Sequence, residues 1–206
     1  MKTKEDTVKK ILLTCIIVSI LILTGCGKKE AQADPMDEYR EVLSGLDLIQ
    51  FSAAELSSDN TFGLRELGEY DLNIFYFWAS WSDTSQSMLP NLKAYKENLP
   101  DNIRVITVCT DGEKNYRIAK QVLDGYKYTG KTLISGAKDY STVIDKVRYL
   151  PTIIFINSEG KQVGEPIVGI VNDFDKKLDK SIKKILKENK KKENDENEEN
   201  EESDEG

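Results

Sequence analysis

Asn73-Ile74-Phe75-Tyr76-Phe77-Trp78-Ala79-Ser80-Trp81-Ser82-Asp83-Thr84-Ser85 is the stretch whose reading decides the fold. Its first six residues are almost continuously apolar and rich in aromatics. That pattern predicts a central strand buried on both faces. The small polar residues Ser82, Asp83 and Thr84 then offer oxygens to the free amides at the start of a helix. Met88, Leu89, Leu92 and Tyr95 recur at helical spacing, so the helix is expected from Thr84 to about Asn98.

The same alternation continues downstream. Ile103–Cys109 reads as a second core strand and Ile153–Ile156 as a third, just after Pro151. Asn157-Ser158-Glu159-Gly160 is a turn signal between Ile153–Ile156 and the pieces Lys161–Val163 and Ile167–Val171, which flank Gly164. Glu113–Tyr126, with Ile118, Val122 and Leu123, is a helical pattern. Asp173–Lys187 is another, with Phe174, Leu178, Ile182 and Leu186 on one stripe. Strands alternating with helices, then a hairpin and a last helix, imply an α/β fold: a central mixed β-sheet flanked by helices.

Phe77-Trp78-Ala79-Ser80-Trp81-Ser82-Asp83-Thr84-Ser85 resembles the thioredoxin active-site segment, Phe-Trp-Ala-x-Trp-Cys-x-x-Cys. That family has a proline eight residues after its first cysteine, and here Pro90 follows Ser82 by eight. Leu150-Pro151-Thr152 before an apolar strand resembles the family's cis-proline loop. The separation of 69 residues from Ser82 to Pro151, together with Leu64-Arg65-Glu66-Leu67 before the central strand, is similar to the TlpA/ResA branch of extracytoplasmic thiol–disulfide oxidoreductases. The resemblance covers about residues 46–187 and implies a thioredoxin-like fold with a cis Leu150–Pro151 bond. It also implies a peptide-binding groove formed by Trp81, Ser82, Asp83, Leu150, Pro151 and Thr152.

The chemistry of that family needs a thiolate at a helix terminus and a second thiol three residues on. Both positions are serine here, Ser82 and Ser85. A hydroxyl forms no disulfide, and its use as a nucleophile needs an adjacent base. The chain has no histidine at all. That excludes a Ser-His-Asp triad and histidine metal ligands. No Cys-x-x-Cys exists either, so neither a metal nor a cofactor is expected. Tyr76 stands before the Phe-Trp pair, where the family often carries a polar residue that tunes the thiols. Cys109 is read as a buried small hydrophobe, with a lone redox sensor as the alternative.

The two ends read differently from the middle. Residues 2–10 are rich in lysine, and Ile11–Leu23 is an apolar run of thirteen residues ending in Leu23-Thr24-Gly25-Cys26. This resembles a bacterial lipobox. It implies that residues 1–25 are a lipoprotein signal peptide and that Cys26 carries a membrane-anchoring lipid. Residues 26–45 are read as a tether, 46–187 as the domain and 188–206 as a disordered acidic tail. The formal charge is −7, but nine acidic residues lie between Glu193 and the end, and the chain without them carries +2. Cys26–Lys192 is formally neutral, so nucleic acid is not an expected partner.

Three functions follow as expectations. The first is a redox-inactive accessory module at the outer face of a bacterial membrane, binding an extracytoplasmic or membrane polypeptide. The second is an oxidoreductase assisting disulfide or cytochrome maturation. The third is a structural lipoprotein working through its acidic tail.

Overall fold

The structure is a computed structural model that describes residues 34–204. The expected signal peptide, residues 1–25, the expected lipidation site Cys26 and the expected tether up to residue 33 lie outside the described residues.

The elements in chain order are helix α1 (Pro35–Val42), strands β1 (Ser52–Glu55) and β2 (Thr61–Gly63), helix α2 (Leu64–Leu67) and strand β3 (Leu72–Trp78). Helices α3 (Asp83–Gln86) and α4 (Leu89–Lys96), strand β4 (Ile103–Cys109), helix α5 (Tyr116–Gly125) and strand β5 (Lys131–Ala137) follow. Helix α6 (Asp139–Lys146), strands β6 (Thr152–Asn157) and β7 (Gln162–Val168) and helix α7 (Phe174–Asp204) complete the chain. The strands form one seven-stranded mixed sheet, ordered β2-β1-β5-β4-β3-β6-β7. β3 pairs parallel to β4 and antiparallel to β6.

β3 is buried at every one of its seven residues, as its unbroken apolar pattern requires. Its alternate side chains feed two cores. Leu72, Ile74, Tyr76 and Trp78 pack with Leu89 and Leu92 of α4, Ala119 and Leu123 of α5, and Leu178, Ile182 and Ile185 of α7. Phe75 and Phe77 pack on the other face with Leu48, Phe51, Phe62, Tyr140 and Val143. The one polar residue of β3, Asn73, is satisfied: its amide donates to the Leu67 carbonyl at 3.0 Å and accepts from Arg104 at 2.7 Å. Arg104 in turn lies over the rings of Phe62 and Tyr70.

Several boundaries differ from those expected. The helix over 84–98 is two helices, because α4 restarts with Pro90 in its first turn and no proline N–H can extend the turn before it. The helix expected over 113–126 starts at Tyr116, and its buried face is Ala119 and Leu123, while Ile118 is exposed. The pieces around Gly164 are a single strand that passes through that glycine at φ +65°. Within the segment expected as a tether, residues 26–45, Tyr39 and Leu43 are buried, and the Tyr39 hydroxyl accepts from the Arg148 amide at 2.8 Å. Over residues 188–206, expected as a disordered acidic tail, α7 runs on to Asp204. Its Lys and Glu are good helix formers, and a helix already nucleated on the core continues without a new nucleation cost. Among the described residues no helix is long and apolar enough to cross a membrane.

Candidate functional site

The site lies where three neighbouring strands end together. Phe77 pairs with Thr152 and Trp78 with Cys109. The chain leaving β3 at Ala79, the turn after Cys109 and the Leu150–Pro151 segment entering β6 therefore share one edge of the sheet. The Leu150–Pro151 peptide is cis. The Pro151 carbonyl accepts from the Gly169 amide at 2.8 Å. Leu150 is half-buried, and Pro151 and Thr152 are buried. The Thr152 hydroxyl donates to the Tyr149 carbonyl at 2.7 Å.

Ser82 is the N-cap of α3: its backbone is extended and its side-chain oxygen accepts from the Ser85 amide at 3.4 Å. Ser85 is fully buried, and its hydroxyl donates to the Ser82 carbonyl at 2.9 Å while accepting from the Ala79 amide at 3.3 Å. The Tyr76 hydroxyl donates to the Ser85 carbonyl at 2.6 Å, and burial pushes its ionisation far above the ordinary range. Both serines thus bond within the turn, and among the described residues neither hydroxyl hydrogen-bonds a carboxylate or an amine. Asp83 is exposed in the first turn of α3.

Trp78 and Trp81 part company here. Trp78 is wholly buried, whereas Trp81 is 71% exposed. The loop bearing Trp81 is closed from below by Gln86, whose amide donates to the carbonyls of Ala79 at 3.2 Å and Ser80 at 2.9 Å. It is closed from the side by Asp111, in the turn after β4. The Asp111 carboxylate accepts from the Ser80 amide at 2.9 Å and the Ser80 hydroxyl at 2.6 Å. It also accepts from the Cys109 thiol at 3.2 Å and the Asn115 amide at 2.9 Å. Burial alone would push the Asp111 carboxyl up, but these donors outweigh it and hold the group below its usual range. Cys109 is buried, as expected; burial, then its bond to Asp111, pushes the thiol far up, so it stays protonated.

Ser80, Gln86 and Asp111 were not among the expected site residues. Asp111-Gly112 carries only a generic turn signal, and its partner Ser80 lies 31 residues earlier. Pairing of β3 with β4 brings the two together.

No protein-family model matches the chain, and no curated protein matches it. Solved structures do. The pneumococcal exposed lipoprotein thioredoxin of Streptococcus pneumoniae is similar at 25% identity and a TM-score of 0.51, over 67% of this chain and 98% of that one. A DsbF homologue from Corynebacterium diphtheriae is similar at 18% identity and a TM-score of 0.55, over 78% of this chain and 96% of that one. StoA from Bacillus subtilis is similar at 17% identity and a TM-score of 0.51, over 64% and 95%. The fold is thioredoxin-like, as the resemblance of the Phe77–Ser85 segment implies.

Proposed function

We infer that this chain is an extracytoplasmic lipoprotein whose thioredoxin-like domain binds extended polypeptide without thiol–disulfide chemistry. One observation carries the reading. The hydroxyls of Ser82 and Ser85 are spent on the turn, while Trp81 stands 71% exposed at the same sheet edge as the cis Pro151. The groove is Trp81, Ser82, Asp83, Leu150, Pro151 and Thr152. Among the described residues no hydrogen bond uses the backbone of Leu150, so its N–H and carbonyl suit an added strand.

The membrane partnership rests on Cys26 and its lipobox, and the similar pneumococcal protein is itself described as an exposed lipoprotein. Placement at the outer face of a bacterial cell membrane follows from that lipid. Without a covalent step, affinity comes from burial and hydrogen bonds, and is expected on the order of micromolar, about −8 kcal/mol. Trp81 is expected to contribute most.

The test is binding of carboxamidomethylated insulin B chain, an unfolded polypeptide with its thiols blocked, to wild type and to Trp81→Ala. Binding lost in a folded Trp81→Ala supports the groove; equal binding by both proteins rejects it. Insulin reduction by the wild type would instead establish the oxidoreductase reading. Cys26→Ala should leave an unprocessed precursor that takes no fatty-acid label; normal processing and label would remove the anchor.

A further inference from the structure

We propose that Asp111 is the positioning residue that presents Trp81 to a bound polypeptide; this deepens the groove reading above and rests on it. Trp81 is exposed, so packing does little to fix its ring. Its direction is set by the backbone that carries it, and the residue before it is Ser80. Asp111 grips Ser80 at two points. One carboxylate oxygen takes the Ser80 amide at 2.9 Å, and the other takes the Ser80 hydroxyl at 2.6 Å. A carboxylate holding both main chain and side chain of one residue fixes its rotation, and bonds to an ionised acceptor are the stronger kind.

The other bonds of the loop cannot replace this grip. The bonds from Gln86 to the Ala79 and Ser80 carbonyls, from the Ser82 amide to the Ala79 carbonyl and from the Ala79 amide to the Ser85 hydroxyl all arise within the β3–α3 segment itself. Thr110 bonds the Trp78 carbonyl and so ends the ladder one residue short of the loop. Asp111 reaches across from the turn after β4 and, among the described residues, is the side chain there that bonds both the amide and the hydroxyl of Ser80; the Cys109 sulfur, at the end of β4, faces the same amide. The carboxylate is aimed from two further sides, by the Cys109 thiol at 3.2 Å and the Asn115 amide at 2.9 Å.

An indole carried on a backbone that is already fixed loses less freedom on binding than one whose loop must also be ordered. Immobilising one such side chain and its loop corresponds to a loss of about 2- to 10-fold in affinity.

The experiment uses the full processed chain in detergent. Trp78 is buried and Trp81 exposed, so acrylamide-quenchable fluorescence comes from Trp81 and its depolarisation reads the motion of that ring. Insulin B chain with alkylated thiols has no tryptophan and serves as the ligand. In Asp111→Ala the free protein should depolarise faster and bind the B chain about 2- to 10-fold more weakly. Asp111→Asn keeps one acceptor for the Ser80 amide and should fall between. Wild-type depolarisation in a folded Asp111→Ala overturns the role of Asp111. Should Asp111→Ala not fold, Ser80→Ala removes half of the grip and must shift depolarisation the same way; a folded Ser80→Ala identical to wild type overturns it equally. Failure of the wild type to bind the B chain overturns the polypeptide reading instead, and is read separately from the depolarisation.

Discussion

The start of α3 carries the hydroxyls of Ser82 and Ser85, three residues apart, and no thiol. Ser82 caps the helix and Ser85 lies buried beneath it. We expect the wild type to show no turnover in insulin reduction, because reducing a disulfide requires thiols that can be oxidised in exchange and a serine hydroxyl forms no disulfide. Ser82→Cys with Ser85→Cys should introduce measurable turnover, since two thiols three residues apart can form and exchange a disulfide. Turnover by the wild type would contradict the first statement, and a fully inert double variant the second. Asp111 allows a pH prediction with a definite sign. Its carboxyl is held below the ordinary range in the folded chain. The stabilisation it supplies is complete above the unfolded-state value of about 3.9 and is lost as pH falls through the lowered folded value. Cys109, the titratable group bonded to it, stays protonated across this range. Urea denaturation should show a gap between wild type and Asp111→Ala at about pH 7 that closes in strong acid. A gap that widens as pH falls would refute the assignment.

At the scale of elements, legibility followed burial on both faces. β3, β4 and β6 are runs of large apolar residues, and their sequence alone places them in the centre of the sheet. β1, Ser-Ala-Ala-Glu, and β5, Lys-Thr-Leu-Ile-Ser-Gly-Ala, carry small or polar residues and no clear period. Their strand character comes from pairing with each other in a register that no local pattern encodes. The same limit applies to the site. Trp81, Ser82, Ser85 and Pro151 were legible as one contiguous segment and one loop, whereas Asp111 acts through a partner on another strand. Gly136 shows how tight the unread region is. A Cβ there would lie 2.4 Å from the Ser52 carbonyl oxygen and 2.6 Å from Tyr140 Cγ. The first of these is backbone and cannot swing away. Gly136→Ala should therefore destabilise the domain by about 1–3 kcal/mol. Thermal or urea unfolding measures this; an unchanged midpoint would mean that β1 and β5 are not packed as described.

For the molecule as a whole, α7 is the element whose two halves do different work. Its first half closes one core: Phe174, Leu178, Ile182 and Ile185 are buried against the sheet. Tyr95 adds a hydroxyl bond to Asp179 at 2.7 Å. Leu186 is the last apolar residue of the chain. Everything after it is Lys, Asn, Glu, Asp, Ser and Gly, with nine acidic residues between Glu193 and Gly206. Burial of apolar area drives folding, so the stabilising part of α7 should end where that area ends. Deleting residues 188–206 should change unfolding free energy by no more than about 0.5 kcal/mol, the usual range for surface changes. Leu178→Ala should cost about 2–5 kcal/mol, because Leu178 is fully buried and its loss leaves a cavity. Urea unfolding of the two variants beside wild type checks both numbers. The truncated chain also separates the groove from the tail as the working part. If it keeps full stability and still binds alkylated insulin B chain, the polypeptide site is independent of the acidic segment. If stability is kept but binding is lost, the tail takes part in capture and the groove is not sufficient. A large drop in stability on truncation would show that the charged half of α7 packs on the domain, against the distribution of its apolar residues.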